Sequence, residues 1–150
     1  MNLVETAQKI ISDNMYLTLG TANPEPWVAP VFYCADTQSA LYFISQPSSK
    51  HGQHIRANNE VAFAIFDSHQ EEGTGNGIQG TGRVELLENT NDIQKGLESY
   101  QTTFMPLSAE LLSAPNPYRL YKLIPEKMYI LDPDADTDAR VLVFDSEWKN

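Results

Sequence analysis

Strand-forming runs follow one another along this chain with mostly short connections between them, and that order restricts the fold more than any other feature. Met15, Leu17 and Leu19 alternate with Tyr16 and Thr18, and the run stops at the turn cluster Gly20 to Pro26. A second run extends from Trp27 to Ala35, and Asp36, Thr37, Gln38 and Ser39 connect it to a third at Ala40 to Ser45. These runs are expected to pair as an antiparallel meander. Val61 to Phe66 is continuously apolar and reads as a strand buried on both faces. Gly77 to Glu88 alternates through Ile78, Val84 and Leu86, with Gly80 and Gly82 marking bends or a close backbone approach. Tyr118 to Ile124 and Lys127 to Leu131 read as two strands broken at Pro125, and Val141 to Phe144 as a short last one.

Helical periodicity is confined to a few places. Leu3, Val4, Ala7, Ile10 and Ile11 predict a helix from about Leu3 to Asp13, opened by a capping box of Asn2 and Glu5. Ile93, Leu97, Tyr100 and Phe104 predict a second amphipathic helix, capped near Asn89 or Thr90, and Ser108 to Ser113 predicts a further turn. About six or seven mostly antiparallel strands with peripheral helices describe a mainly β fold, a small barrel with α additions. The strands do not alternate regularly with long helices, which argues against a doubly wound parallel sheet. Without repeats, low-complexity tracts or linkers, residues 1–150 are expected to form one domain.

Charge excludes several partners. The formal net charge is −10, and basic residues such as Lys9, Lys50, Arg56, Lys95, Arg119, Lys122 and Lys149 are scattered, so neither nucleic acid nor an anionic membrane is an expected partner. The single cysteine, Cys34, excludes an internal disulfide framework and fits the reducing cytoplasm. The chain shows no signal-peptide pattern at its start and no apolar run near the roughly 18 residues of a membrane span. A cytoplasmic protein is expected.

The segment from Ala40 to Phe66 carries the chemistry. It reads as strand, Ser-rich turn, short helix, strand, with Ser48 or Ser49 as cap and Lys50 in the first helical turn. A helix N-terminus offers unpaired N–H groups and the positive end of the helix dipole, and serine hydroxyls with one ammonium complete a site for a phosphate. The bland alternative is an ordinary capped surface helix with a solvated lysine. Other patterns carry less. Gly75, Gly77 and Gly80 satisfy G-x-G-x-x-G, but a strand follows where a dinucleotide fold needs a helix. Asp132, Asp134, Asp136 and Asp138 resemble the start of a calcium loop that lacks its Gly and its closing Glu. His51 and His54 share one helix face without a third metal ligand placed by local spacing.

With the elements in this order, the chain resembles the pyridoxamine 5'-phosphate oxidase-like flavoproteins, and among them the small members of unassigned activity. The resemblance rests on MYLTLGT at 15–21, PWVAPVFY at 26–33, the stretch LYFISQPSSKHGQHIRANNEVAFAIFD at 41–67, IQGTGRVELLE at 78–88 and LLSAPNPYRLYKLIPEKMYILD at 111–132. It implies the FMN-binding split β-barrel, Greek-key-like, acting as a homodimer with FMN at the subunit interface. By this resemblance Ser45, Ser48, Ser49 and Lys50 hold the FMN phosphate. Val28, Ala29, Pro30 and Val31 run along the isoalloxazine edge, and Gln79 is a further candidate for a ring contact. It also implies an oxidoreductase or flavin reductase, with a reduced nicotinamide or another small molecule as substrate; no catalytic acid or base can be named.

Departures from the family pattern set the alternative. The oxidase itself carries an Arg and a Lys on the second strand, where this chain has Ala29 and Cys34. Charge-assisted bonds to phosphate contribute about 1.5 to 3 kcal/mol each, so their loss weakens FMN binding. The Arg-x-His element near the oxidase C-terminus is also missing, since Arg119 to Leu123 reads RLYKL, and true pyridoxamine phosphate oxidase activity is not expected. The competing reading is a split-barrel dimer with weak or no flavin binding, a non-catalytic module for another planar ligand such as haem, with His51, His54 or His69 as the iron ligand.

Overall fold

A computed structural model describes residues 1–100 and 106–148. Phe104 of the expected helical stripe and Lys149 lie outside the described residues. Helix α1 (Leu3–Asp13) opens on the expected capping box: the Asn2 side chain accepts from the Glu5 N–H at 2.8 Å, and the Glu5 carboxylate accepts from the Asn2 N–H at 3.0 Å. Eight strands follow, β1 (Tyr16–Ala22), β2 (Pro26–Phe32), β3 (Cys34–Ala35), β4 (Leu41–Ser45), β5 (Glu60–Phe66), β6 (Gly77–Leu86), β7 (Arg119–Leu131) and β8 (Arg140–Asp145). Helix α2 (Lys50–Ala57) joins β4 to β5, and α3 (Thr90–Ser99) follows β6.

The sheet runs in the order β2-β1-β5-β6-β7-β4-β3, with β8 on β7, and every pairing is antiparallel. Its two ends, β2 and β3, are consecutive in the chain and separated by Tyr33 alone. A sheet whose edges are one residue apart must roll up, which is the curled barrel. The Tyr33 hydroxyl, donating to the Ile11 carbonyl at 2.6 Å, fastens that corner to α1.

Three expectations change. The first half of the meander holds, with β2 paired to β1 along its length, but the second run meets the third only at its tip, where Cys34 and Ala35 pair with Tyr42 and Leu41; β4 pairs instead with β7. Leu120 opposite Ile44 and Leu123 opposite Leu41 hold β4 between β7 and the short edge strand β3. Next, β7 is continuous across Pro125, because a bulge at Thr81/Gly82 sets Pro125 opposite Gly82 and removes the need for its missing N–H. Finally, β5 is buried on one face only: Val61, Phe63 and Ile65 point inward, while Ala62 and Phe66 are exposed.

Inside the barrel Leu17, Leu19, Leu41, Phe43, Phe63, Ile65, Ile78, Val84, Tyr121, Leu123 and Ile130 form one core, covered by Leu3, Ala7, Ile10 and Ile11 of α1. Phe43 and Tyr121 are register partners whose rings stack at 5.0 Å and 2°. Gly80, opposite Phe63, leaves the room that the Phe63 ring occupies; a Cβ there would overlap the ring. A second cluster, with Tyr42, Leu87, Ile93, Leu112 and Leu120, seats α3 on the other side of β4 and β7. Among the described residues no helix is long and apolar enough to cross a membrane.

Candidate functional site

The Ser-rich turn folds as its sequence predicts. Pro47 and the turn residues end β4, Ser49 is the N-cap of α2, and its hydroxyl accepts from the Gly52 N–H at 3.1 Å while donating to the Gln46 carbonyl at 2.7 Å. Gly52 is required there, since a Cβ would sit 2.8 Å from the carbonyl oxygens of both Gln46 and Pro47. With the Ser49 N–H bonded to Gln46 and the Gly52 N–H to its cap, the N–H groups of Lys50 and His51 are those left for a ligand.

The three serines play different parts. Ser45 is buried, and its hydroxyl is 2.8 Å from His51 Nε2. Ser49 is occupied as the cap. Ser48 is exposed, with one long 3.4 Å contact to Gln46, and is the serine whose hydroxyl can reach a ligand. The Lys50 ammonium lies 4.6 Å above the Trp27 ring and 3.7 Å from Glu25 Oε1. Both partners of that ion pair are about half exposed, so solvent screens it and a phosphate can displace it.

Sequence reasoning missed Glu25, Thr21 and Trp27. His54 is buried, with Nδ1 3.0 Å from the Thr21 hydroxyl and Nε2 3.3 Å from Glu25 Oε1. Both contacts are satisfied together when Nδ1 accepts from the Thr21 hydroxyl and Nε2–H donates to Glu25. The Glu25 carboxyl is held below the usual glutamate range, first by its own backbone N–H and then by His54 and Lys50. The only signal in the sequence is the setting Pro24-Glu25-Pro26, a charged residue held between two prolines. His51 and His54 thus point to different partners, and among the described residues no group of three metal-ligating side chains forms. Burial lowers the His51 pKa.

On β2, Ala29 and Val31 face the core, whereas Val28 and Pro30 face outward. Among the described strands β2 pairs with β1 alone, which leaves backbone groups along its other edge for a planar ligand and explains how Pro30 is tolerated. Cys34, on β3, pairs with Tyr42 of β4, beyond the Tyr33 corner. Gln79 shares the outer face with Pro30, in one register row through Thr18 and Ala64. Three strand spacings separate them, about 14 Å. Within one chain, then, the structure brings together Ser45, Ser48, Ser49, Lys50 and the start of β2, and leaves Gln79 apart.

This geometry can hold an anion at the start of α2 and a flat group along β2, and the residues present fit a flavin phosphate once Lys50 leaves Glu25. No curated protein matches the sequence significantly. Solved structures share the fold: a FAD-binding protein from Mesorhizobium loti (20% identity, 87% of this chain and 94% of that one, TM-score 0.67), the General Stress Protein 26 from Bacillus anthracis (23%, 89% and 97%, 0.65) and a heme binding protein from Mycobacterium smegmatis (14%, 95% and 57%, 0.72). At such identities the likeness establishes fold alone. The pyridoxamine 5'-phosphate oxidase family model matches residues 3–132, and the chain belongs to that family.

Proposed function

We propose that this chain is a homodimeric, cytoplasmic flavoprotein that binds FMN between the start of α2 and the free edge of β2, and that it is an oxidoreductase of the flavin reductase type. The observation that carries this reading is the start of α2, where the Lys50 and His51 N–H groups, the Ser48 hydroxyl and the Lys50 ammonium gather beside Trp27 of β2 in a member of this family. Bound flavin supplies the electron transfer. The chain binds and orients it, Lys50 through the phosphate and the Val28–Val31 backbone along the ring edge. FMN is the smallest flavin that uses both parts.

A second copy of the chain covers the outer face. Tyr16, Val28 and Phe66 are exposed there, with Thr18, Gly20, Ala62 and Ala64 between them, a surface of apolar and small groups on β2, β1 and β5. Such a dimer would let Gln79 reach the flavin bound by the other chain. A haem-binding reading takes support from the mycobacterial fold relative; His54 has protein partners on both ring nitrogens, whereas His51 is engaged through Nε2 and His69, on the 67–76 loop, through Nδ1.

Anaerobic mixing of the FMN-loaded protein with reduced nicotinamide tests the activity. Bleaching of the visible flavin band at a rate that saturates with nicotinamide is the expected result. Flavin that stays oxidised, or that is reduced no faster than free FMN, contradicts the reductase assignment.

A further inference from the structure

We propose that Glu25 is the specificity-determining residue of the phosphate cradle: it pairs with Lys50, yields it to the ligand, and stays beside the bound phosphate to limit the negative charge accepted. The inference rests on the flavin-phosphate reading above. Its basis is one oxygen atom with two partners: Glu25 Oε1 is 3.7 Å from Lys50 Nζ and 3.3 Å from His54 Nε2. Only the first partner is mobile. His54 is buried and bonded to Thr21, so it retains Glu25 after Lys50 has turned away.

The backbone around Glu25 is held as well. Pro24 and Pro26 restrict it on both sides, and the Asn23 N–H donates to the Glu25 carbonyl at 3.2 Å. Lys50 has a path, because its ammonium lies over Trp27 and can tilt from the carboxylate towards the helix start. A phosphate bonded to Lys50 would then share its surroundings with a fixed carboxylate, whose repulsion grows with each added negative charge. A phosphomonoester such as FMN presents two charges on one phosphorus. The phosphates of FAD present one each, and riboflavin presents none. Glu25 therefore penalises FMN most and riboflavin not at all.

The test is a fluorescence titration of riboflavin, FMN and FAD against wild type, Glu25→Gln and Lys50→Ala. Glutamine keeps an acceptor for His54 and removes only the charge. Glu25→Gln is expected to bind FMN about tenfold more tightly, FAD with a smaller gain and riboflavin unchanged, with Lys50→Ala binding FMN no better than riboflavin. If Lys50→Ala loses FMN while Glu25→Gln binds it as wild type does, the cradle stands and the role of Glu25 is refuted. If FMN and riboflavin bind alike to wild type and Lys50→Ala, the phosphate reading itself fails and the proposal goes with it. Unchanged riboflavin binding controls for folding; should Glu25→Gln unfold, Glu25→Ser is read in the same way.

Discussion

Ser45 Oγ and His51 Nε2 stand 2.8 Å apart and fasten the last residue of β4 to the second residue of α2. Because burial lowers the His51 pKa, the folded protein takes up this proton less readily than the unfolded chain does. The unfolded chain then binds more protons as the pH drops below the ordinary histidine value of about 6.5, so stability is complete above that value and declines below it, levelling off under the folded pKa. Urea unfolding from about pH 7.5 to about pH 5.5 should show this decline in wild type and a shallower one in His51→Gln. Parallel profiles would contradict it.

Gly80 and Phe63 share one volume inside the barrel. Gly80→Ala forces the ring off its position and is expected to destabilise by about 1 to 3 kcal/mol, read as a lower urea midpoint with an unchanged slope. Wild-type stability in this variant would show that the core has slack there.

Thr21 gives the buried His54 its second hydrogen bond. Thr21→Val removes the hydroxyl at nearly constant volume and leaves Nδ1 unpaired, at a cost of about 1 to 3 kcal/mol. Loss of that bond also frees the ring that holds Glu25, so FMN affinity should change along with stability. A stability change with no change in affinity would uncouple His54 from the cradle.

Phe66 stands on the outer face with Tyr16 and Val28. If a second copy covers this face, Phe66→Glu should convert a dimer into a folded monomer in light scattering after gel filtration and weaken flavin binding with it. A variant that remains dimeric places the interface elsewhere.

What was legible in the sequence was local. The Asn2–Glu5 capping box and the helical spacing after it mark α1 from Leu3 to Asp13, and Ser49 with Lys50 marks the start of α2, because caps act within one turn. The misread elements depend on distant partners. Pro125 breaks a strand on its own terms but not opposite a bulge at Gly82, and the apolar run of β5 looks the same whether its second face is covered by this chain or left bare. The candidate site divides in the same way. The Ser-rich turn could be found from its own residues, whereas the link between Glu25, Lys50 and His54 exists only once α2 packs on β1 and β2.

The central claim is that the start of α2 holds a flavin phosphate. The absorbance spectrum of the purified protein, taken with and without added FMN and repeated for Lys50→Ala, tests it most directly. The account predicts stoichiometric FMN with a perturbed visible band in wild type and its loss in Lys50→Ala. A colourless protein whose spectrum is the plain sum of protein and free FMN, in wild type and variant alike, would contradict it.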